Sequence, residues 1–151
     1  MDFDFPEDLI AVRNLAREFA EKEIAPTAAQ DDRERRFRRD LVSKMGELGF
    51  YGCVIPEEYG GSGLGFLALC LITEEIARVH SAIRVMINMQ VGPALTLLQF
   101  GSEDQKRGWI PDLICGDKVG CFAITEPDAG SDVGAMRATA AREGDAYILN
   151  G

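Results

Sequence analysis

The spacing of apolar residues changes once along this chain, and that change limits the folds open to it. Through most of Leu9 to Ile114, apolar side chains recur at steps of three and four. From Val119 onward they come in short runs between glycine, proline and acidic turn residues. The first pattern builds amphipathic helices and the second builds short strands, so the expectation is an α+β chain, helices first and strands last. Of 151 residues, 46% are hydrophobic, which is ample for a packed core. The 25 acidic and 16 basic side chains leave a formal net charge of −9. That balance argues against sequence-independent DNA or RNA binding and against docking on anionic lipid.

Helix one opens at Asp4-Phe5-Pro6 and closes at Pro26. Its stripe is Leu9, Ile10, Val12, Leu15, Ala16, Phe19, Ala20 and Ile24, with Arg13, Arg17, Glu18, Glu21 and Lys22 on the other side. Gln30 to Arg39 is almost entirely charged and reads as a solvated connection leading into a helix, with Asp31 to Glu34 as surface. Leu41, Val42, Met45 and Leu48 mark the second helix, ended by Gly49. Tyr51 to Gly65 is glycine-dense and stays open between a mobile connector and a loop beside a ligand. Leu64 to Val79 and Ala82 to Leu98 are apolar helices suited to a core, the latter expected to bend or break at Gly92-Pro93. Ser102 with Gln105 fits a capping box for a helix that turns Trp109 and Ile110 inward before Pro111 and Gly116.

Cys121 to Ile124 reads as a strand, followed by a loop from Thr125 to Gly134. Ala138 to Arg142 and Ala146 to Leu149 flank Glu143-Gly144-Asp145 and should form a hairpin. Asn150-Gly151 is itself a strong hairpin turn with no returning strand after it, so the chain is expected to be the front of a longer protein. No stretch approaches the roughly 18 apolar residues that cross a bilayer. The acidic start (Asp2, Asp4, Glu7, Asp8) is the opposite of a signal peptide. Four cysteines (53, 70, 115 and 121) show no CxxC spacing and there is one histidine, so no metal site is expected. The thiols read as reduced and mostly buried, in a cytoplasmic protein.

Thr125 to Asp132 is the local candidate for chemistry. Pro127 stiffens the turn, Gly130 lets backbone approach another group, and amides with the Thr125 and Ser131 hydroxyls can cradle an anion or a polar ring edge. From the residues alone, a plain turn is the better explanation. Residues 122–132, FAITEPDAGSD, resemble the signature of the acyl-CoA dehydrogenases. Three further segments are similar to that family in the same order: YGCVIPEEYGG at 51–61, FGSEDQK at 100–106 and YILNG at 147–151. The resemblance covers the whole chain.

It implies an N-terminal all-helical bundle domain over residues 1–116, then the first strands of a middle antiparallel β-domain over 117–151. A C-terminal four-helix domain would lie outside this chain. It further implies FAD, a homotetramer, and electron transfer to an electron-transferring flavoprotein. Phe122, Ile124 and Thr125 would lie along the flavin, with the Thr125 hydroxyl near its reactive nitrogen. Gly130 and Ser131 would lie at the pyrophosphate, Ser131 also reaching the CoA part of an acyl-CoA substrate. Phenylalanine at 122 keeps the ring of the family's frequent tyrosine and loses its hydroxyl, and Asp128 stands where glycine is common. The implied reaction is α,β-dehydrogenation of an acyl-CoA thioester, its carboxylate base lying beyond Gly151.

Arg84, among Ile83, Val85, Met86 and Ile87, reads by composition as an arginine reaching to water. The run EIARVHSAIR at 75–84 resembles the glutaryl-CoA dehydrogenase branch, which implies that Arg84, beside Val85, holds the distal carboxylate of the acyl chain. Ala77 stands where decarboxylating members carry glutamate, which points to the type that stops at glutaconyl-CoA. His80 and Trp109 read as structural. Alternatives are a short-chain or branched-chain acyl-CoA dehydrogenase, an acyl-CoA oxidase, or a non-catalytic helical binding module.

Overall fold

The structure, a computed structural model, describes residues 4–151; Asp2 of the acidic start lies outside them. Two compact units divide between Cys121 and Phe122. The first contains α1 (Glu7–Phe19), a π-helical turn (Ala20–Ile24), α2 (Ala28–Glu34), α3 (Arg39–Glu47), α4 (Phe66–Val79), α5 (Ser81–Phe100) and α6 (Glu103–Ile114). The second contains β1 (Thr139–Glu143) and β2 (Ala146–Asn150). The expected α+β order, helices first, is the order observed.

In the helical unit α1 packs on α4, α4 on α5 and α5 on α6. The stripe read from α1 is in place at Leu9, Ala16, Phe19, Ala20 and Ile24, which are buried, whereas Leu15, also assigned to it, is exposed. The π turn, in which the Ala25 amide reaches the Ala20 carbonyl at 2.9 Å, adds a residue to one turn of the helix. Phe19, Ala20 and Ile24 thereby all face inward, while Glu21 pairs with Arg78 at 2.8 Å and Glu23 with Lys44. The capping box at Ser102 and Gln105 forms in full. The loop over 51–65 is not a loose connector. It is a packed wedge, with Phe50, Tyr51, Cys53, Ile55 and Tyr59 buried, cross-linked by backbone bonds from Ser62 to Gly52, Gly63 to Ile55 and Gly65 to Cys53.

Tertiary contacts overrule several local expectations. Asp31 is 5% exposed rather than solvated. Thr27 Oγ1 donates to it at 2.6 Å and Arg38 Nη1 at 3.0 Å, and these bonds, led by that of Thr27, hold its carboxyl below the usual range. The run around it contains α2, which Arg35 ends in the left-handed region at φ 53°. No break occurs at Pro93: α5 is continuous, because contacts with α4 and α6 outweigh the one amide donor that proline removes. Ile110 is buried as expected, but Trp109 is half exposed, with Lys118 Nζ 4.6 Å from its ring centre. Only Cys53 among the thiols is buried, its pKa pushed up to about 11 by burial; Cys70, Cys115 and Cys121 are exposed.

Glu75 is the buried charge that joins two helices. Arg17 of α1 clamps it with Nε at 3.1 Å and Nη2 at 2.6 Å, and Arg78 adds a third bond at 3.1 Å. These contacts, led by the Arg17 hydrogen bond, lower its pKa from the usual glutamate value of 4.5. A carboxyl depressed in the folded state contributes stability that is present above the unfolded pKa and lost as pH falls through the folded one. The melting temperature is therefore expected to drop on acidification below 4.5. Glu75→Gln should melt lower at neutral pH and lose less on acidification. Parallel acid dependence in both proteins would remove Glu75 as its source.

The second unit is a hairpin with β1 antiparallel to β2, Ala141 opposite Ile148 and Glu143 opposite Ala146. Gly144, at φ 58°, turns it. The strand expected over Cys121 to Ile124 is not one: among the described residues no backbone hydrogen bond joins residues 121–125 to a neighbour. An extended segment without a ladder partner is not a strand, whatever its side chains favour.

Candidate functional site

Three local structures carry the residues singled out from the sequence, and a fourth holds a residue that sequence reading passed over. Arg84 and Val85 occupy the first turns of α5, which begins where extended His80 breaks the path from α4. Arg84 is half-buried, with its backbone amide on the His80 carbonyl at 3.3 Å. Among the described residues no carboxylate lies within ion-pairing reach of its guanidinium. Val85 is exposed and lines a cavity of about 480 Å³, whose walls include Phe37, His80, Ile83, Met86 and Met89. Arg84 is not part of that wall.

The second structure is the extended segment entering the β unit. Phe122 and Ile124 are each 44% exposed, so one aromatic and one branched side chain stand in solvent beside backbone amides and carbonyls without partners in this chain. Thr125 is exposed as well. An apolar surface bordered by free donors and acceptors suits a planar ring with a polar edge. The residues present therefore fit a flavin.

The third is the turn after it. Glu126 and Ala129 exchange backbone hydrogen bonds at 2.9 and 3.2 Å around Pro127-Asp128. The Glu126 carboxylate accepts the Arg137 and Ala138 amides, each at 2.8 Å, and so ties the turn to the start of the hairpin. Sequence reasoning missed this role, since its only local signal was an acidic residue before a proline. Gly130 and Ser131 come next, in the open: nothing of this chain lies within 4 Å of a Cβ built on Gly130. Space for a close approach is present there, and this chain does not fill it.

The fourth was also missed. Gln90 of α5 is buried and bonds three backbone groups between Leu113 and Gly120. A glutamine between Met89 and Val91 in a largely apolar helix was its only sequence signal. Among the described residues no cluster of three or more His, Cys, Asp or Glu can hold a metal ion. None of their helices is long and apolar enough to cross a membrane.

A helical unit is followed by a hairpin unit, with open apolar and hydrogen-bonding groups at the start of the second, an α+β arrangement. Residues 6–117 match the N-terminal domain of acyl-CoA dehydrogenases. The chain belongs to the acyl-CoA dehydrogenase family. It is 50% identical over 155 residues to the glutaryl-CoA dehydrogenase of Desulfococcus multivorans, covering 100% of this chain and 40% of that protein. A solved structure of a glutaryl-coenzyme A dehydrogenase with glutaryl-CoA superposes with a TM-score of 0.96 at 50% identity, covering 100% of this chain and 39% of the other. A glutaryl-CoA dehydrogenase from Mycobacterium smegmatis in complex with FADH2 gives 0.92 at 30% identity, covering 97% and 38%. The chain thus spans about two fifths of the length of these relatives.

Proposed function

We propose that this chain is the N-terminal part of an FAD-dependent acyl-CoA dehydrogenase that converts glutaryl-CoA to glutaconyl-CoA, with residues 1–116 as its helical domain and 117–151 opening its β-domain. The observation that carries the reading is the 50% identity to a glutaryl-CoA dehydrogenase along the whole chain, joined to an arginine at 84 that has no carboxylate partner among the described residues. When bound, FAD supplies the acceptor for the hydride leaving the acyl β-carbon. Phe122 and Ile124 supply apolar surface to the ring. Thr125 and Ser131 supply hydroxyl donors that stabilise electron-rich oxygen and nitrogen without adding a side-chain charge. Gly130 leaves room at the pyrophosphate. Arg84 holds the distal carboxylate through two parallel N–H donors, Val85 packs beside the chain, and Ser131 also reaches the CoA portion.

We infer a cytoplasmic homotetramer passing electrons to an electron-transferring flavoprotein, in amino acid or fatty acid degradation. Four unpaired thiols support the reducing compartment. The test uses the full-length protein. It is expected to purify yellow and to lose flavin absorbance on anaerobic addition of glutaryl-CoA, with glutaconyl-CoA as product. Colourless protein in excess FAD overturns the reading. Release of crotonyl-CoA with carbon dioxide overturns the non-decarboxylating assignment, and peroxide in air reassigns the chain to an oxidase.

A further inference from the structure

Gln90 is 1% exposed on the helix that carries Arg84 and Val85, and its side-chain amide is fully engaged. Nε2 donates to the Leu113 and Lys118 carbonyls, each at 2.8 Å, and Oε1 accepts from the Gly120 amide at 2.7 Å. Among the described residues, no other hydrogen bond holds residues 119–121. The fit around that bond is close. A Cβ on Gly120 would stand 2.6 Å from the Met89 carbonyl oxygen and 2.7 Å from Pro93 Cγ. The chain there lies directly on α5, against the turn that Pro93 leaves one hydrogen bond short.

We propose that Gln90 is a positioning residue. It ties residues 118–120, at the end of the helical unit, to the same helix that presents Arg84 and Val85, so the chain departs toward Phe122 from a fixed point on that helix. The assignment rests on the functional reading above. Only a primary amide suits the task, because it must donate hydrogen bonds to two carbonyls while accepting one from a backbone amide. Leucine leaves all three backbone groups unpaired in a buried place. Glutamate sets a carboxylate against two carbonyl oxygens, a conflict that protonation relieves.

The experiment has two arms. In the 151-residue chain, hydrogen exchange over residues 117–122 is expected to accelerate in Gln90→Leu while α4 stays protected. In the full-length protein, Gln90→Leu is expected to retain FAD and bind glutaryl-CoA within about twofold of wild type, yet reduce its flavin about tenfold more slowly, with a displaced absorbance band. Gln90→Glu is expected to recover reduction rate as pH falls from about 8 to about 6, which the wild type does not do. The proposal is overturned if Gln90→Leu changes only the melting temperature, or if Gln90→Glu shows no recovery in acid. Full-length wild type without FAD would instead overturn the functional reading, and exchange at residues 117–122 would still decide whether Gln90 holds the segment.

Discussion

Arg84→Ala in the full-length protein is expected to lower kcat/KM for glutaryl-CoA by about 10- to 100-fold while leaving butyryl-CoA within about threefold. A charge-assisted bond to a carboxylate is worth about 1.5 to 3 kcal/mol, which sets that range. Arg84 differs from Arg17, Arg36, Arg38 and Arg78, each of which pairs with a carboxylate of this chain. Arg38, for one, is held between Asp31 and Asp40. Arg84 has no such carboxylate among the described residues, and its neighbours Ile83 and Ile87 are buried apolar groups. A half-buried cation without an internal partner is a ready receptor for an external anion. Butyryl-CoA has the thioester without the second carboxylate, so it gains nothing from the guanidinium. Most of the loss should appear in KM, because the distal carboxylate is bound alike before and during reaction. Arg84→Lys should recover part of the affinity as a point charge without the paired donors. Equal losses on the two substrates would sink the clamp.

Gly46→Ala is expected to destabilise the helical unit by about 3 kcal/mol, at the upper end of what overpacking costs. Helix propensity alone gives the opposite sign, since alanine is better than glycine within a helix by about 1 kcal/mol. Packing decides the matter. A Cβ at position 46 would stand 2.0 Å from the Cys115 carbonyl oxygen and 2.3 Å from its carbon, both backbone atoms at the end of α6. A flexible side chain can move aside, whereas this contact can be relieved only by separating α3 from that end of α6. For a chain of this size the melting temperature should fall by about 6 to 12 °C. An unchanged or raised melting temperature would show that α3 and α6 do not approach as described.

Elements whose identity depends on neighbouring residues in the sequence were legible in it. The α1 stripe, the Ser102 capping box, the Gly49 helix end and the Gly144 hairpin each arise from residues within a few positions of one another. Features set by distant partners were not. Asp31 looks like surface until Thr27 and Arg38 close over it, and Trp109 looks like core until the fold leaves one face of α6 open. Cys121 to Ile124 has the composition of a strand, but a ladder needs a second strand that composition cannot supply. At the candidate site, residue chemistry suggested only a turn with donors. The assignments of Phe122, Ile124 and Ser131 came through family resemblance, and the roles of Gln90 and Glu126 needed coordinates.

The wide turn at Ala20–Ile24 takes up one surplus residue locally, so the helix on either side keeps its phase. Excising one residue there, such as exposed Lys22, would restore ordinary winding and leave Leu9 and Ala16 buried and Arg17 facing Glu75. Excising exposed Asn14 from regular α1 would instead rotate the turns before it by about 100° and carry Leu9 out of the core. Deletion scanning should therefore find that loss of a single helical position is borne between 20 and 24 and destroys assembly between 11 and 18.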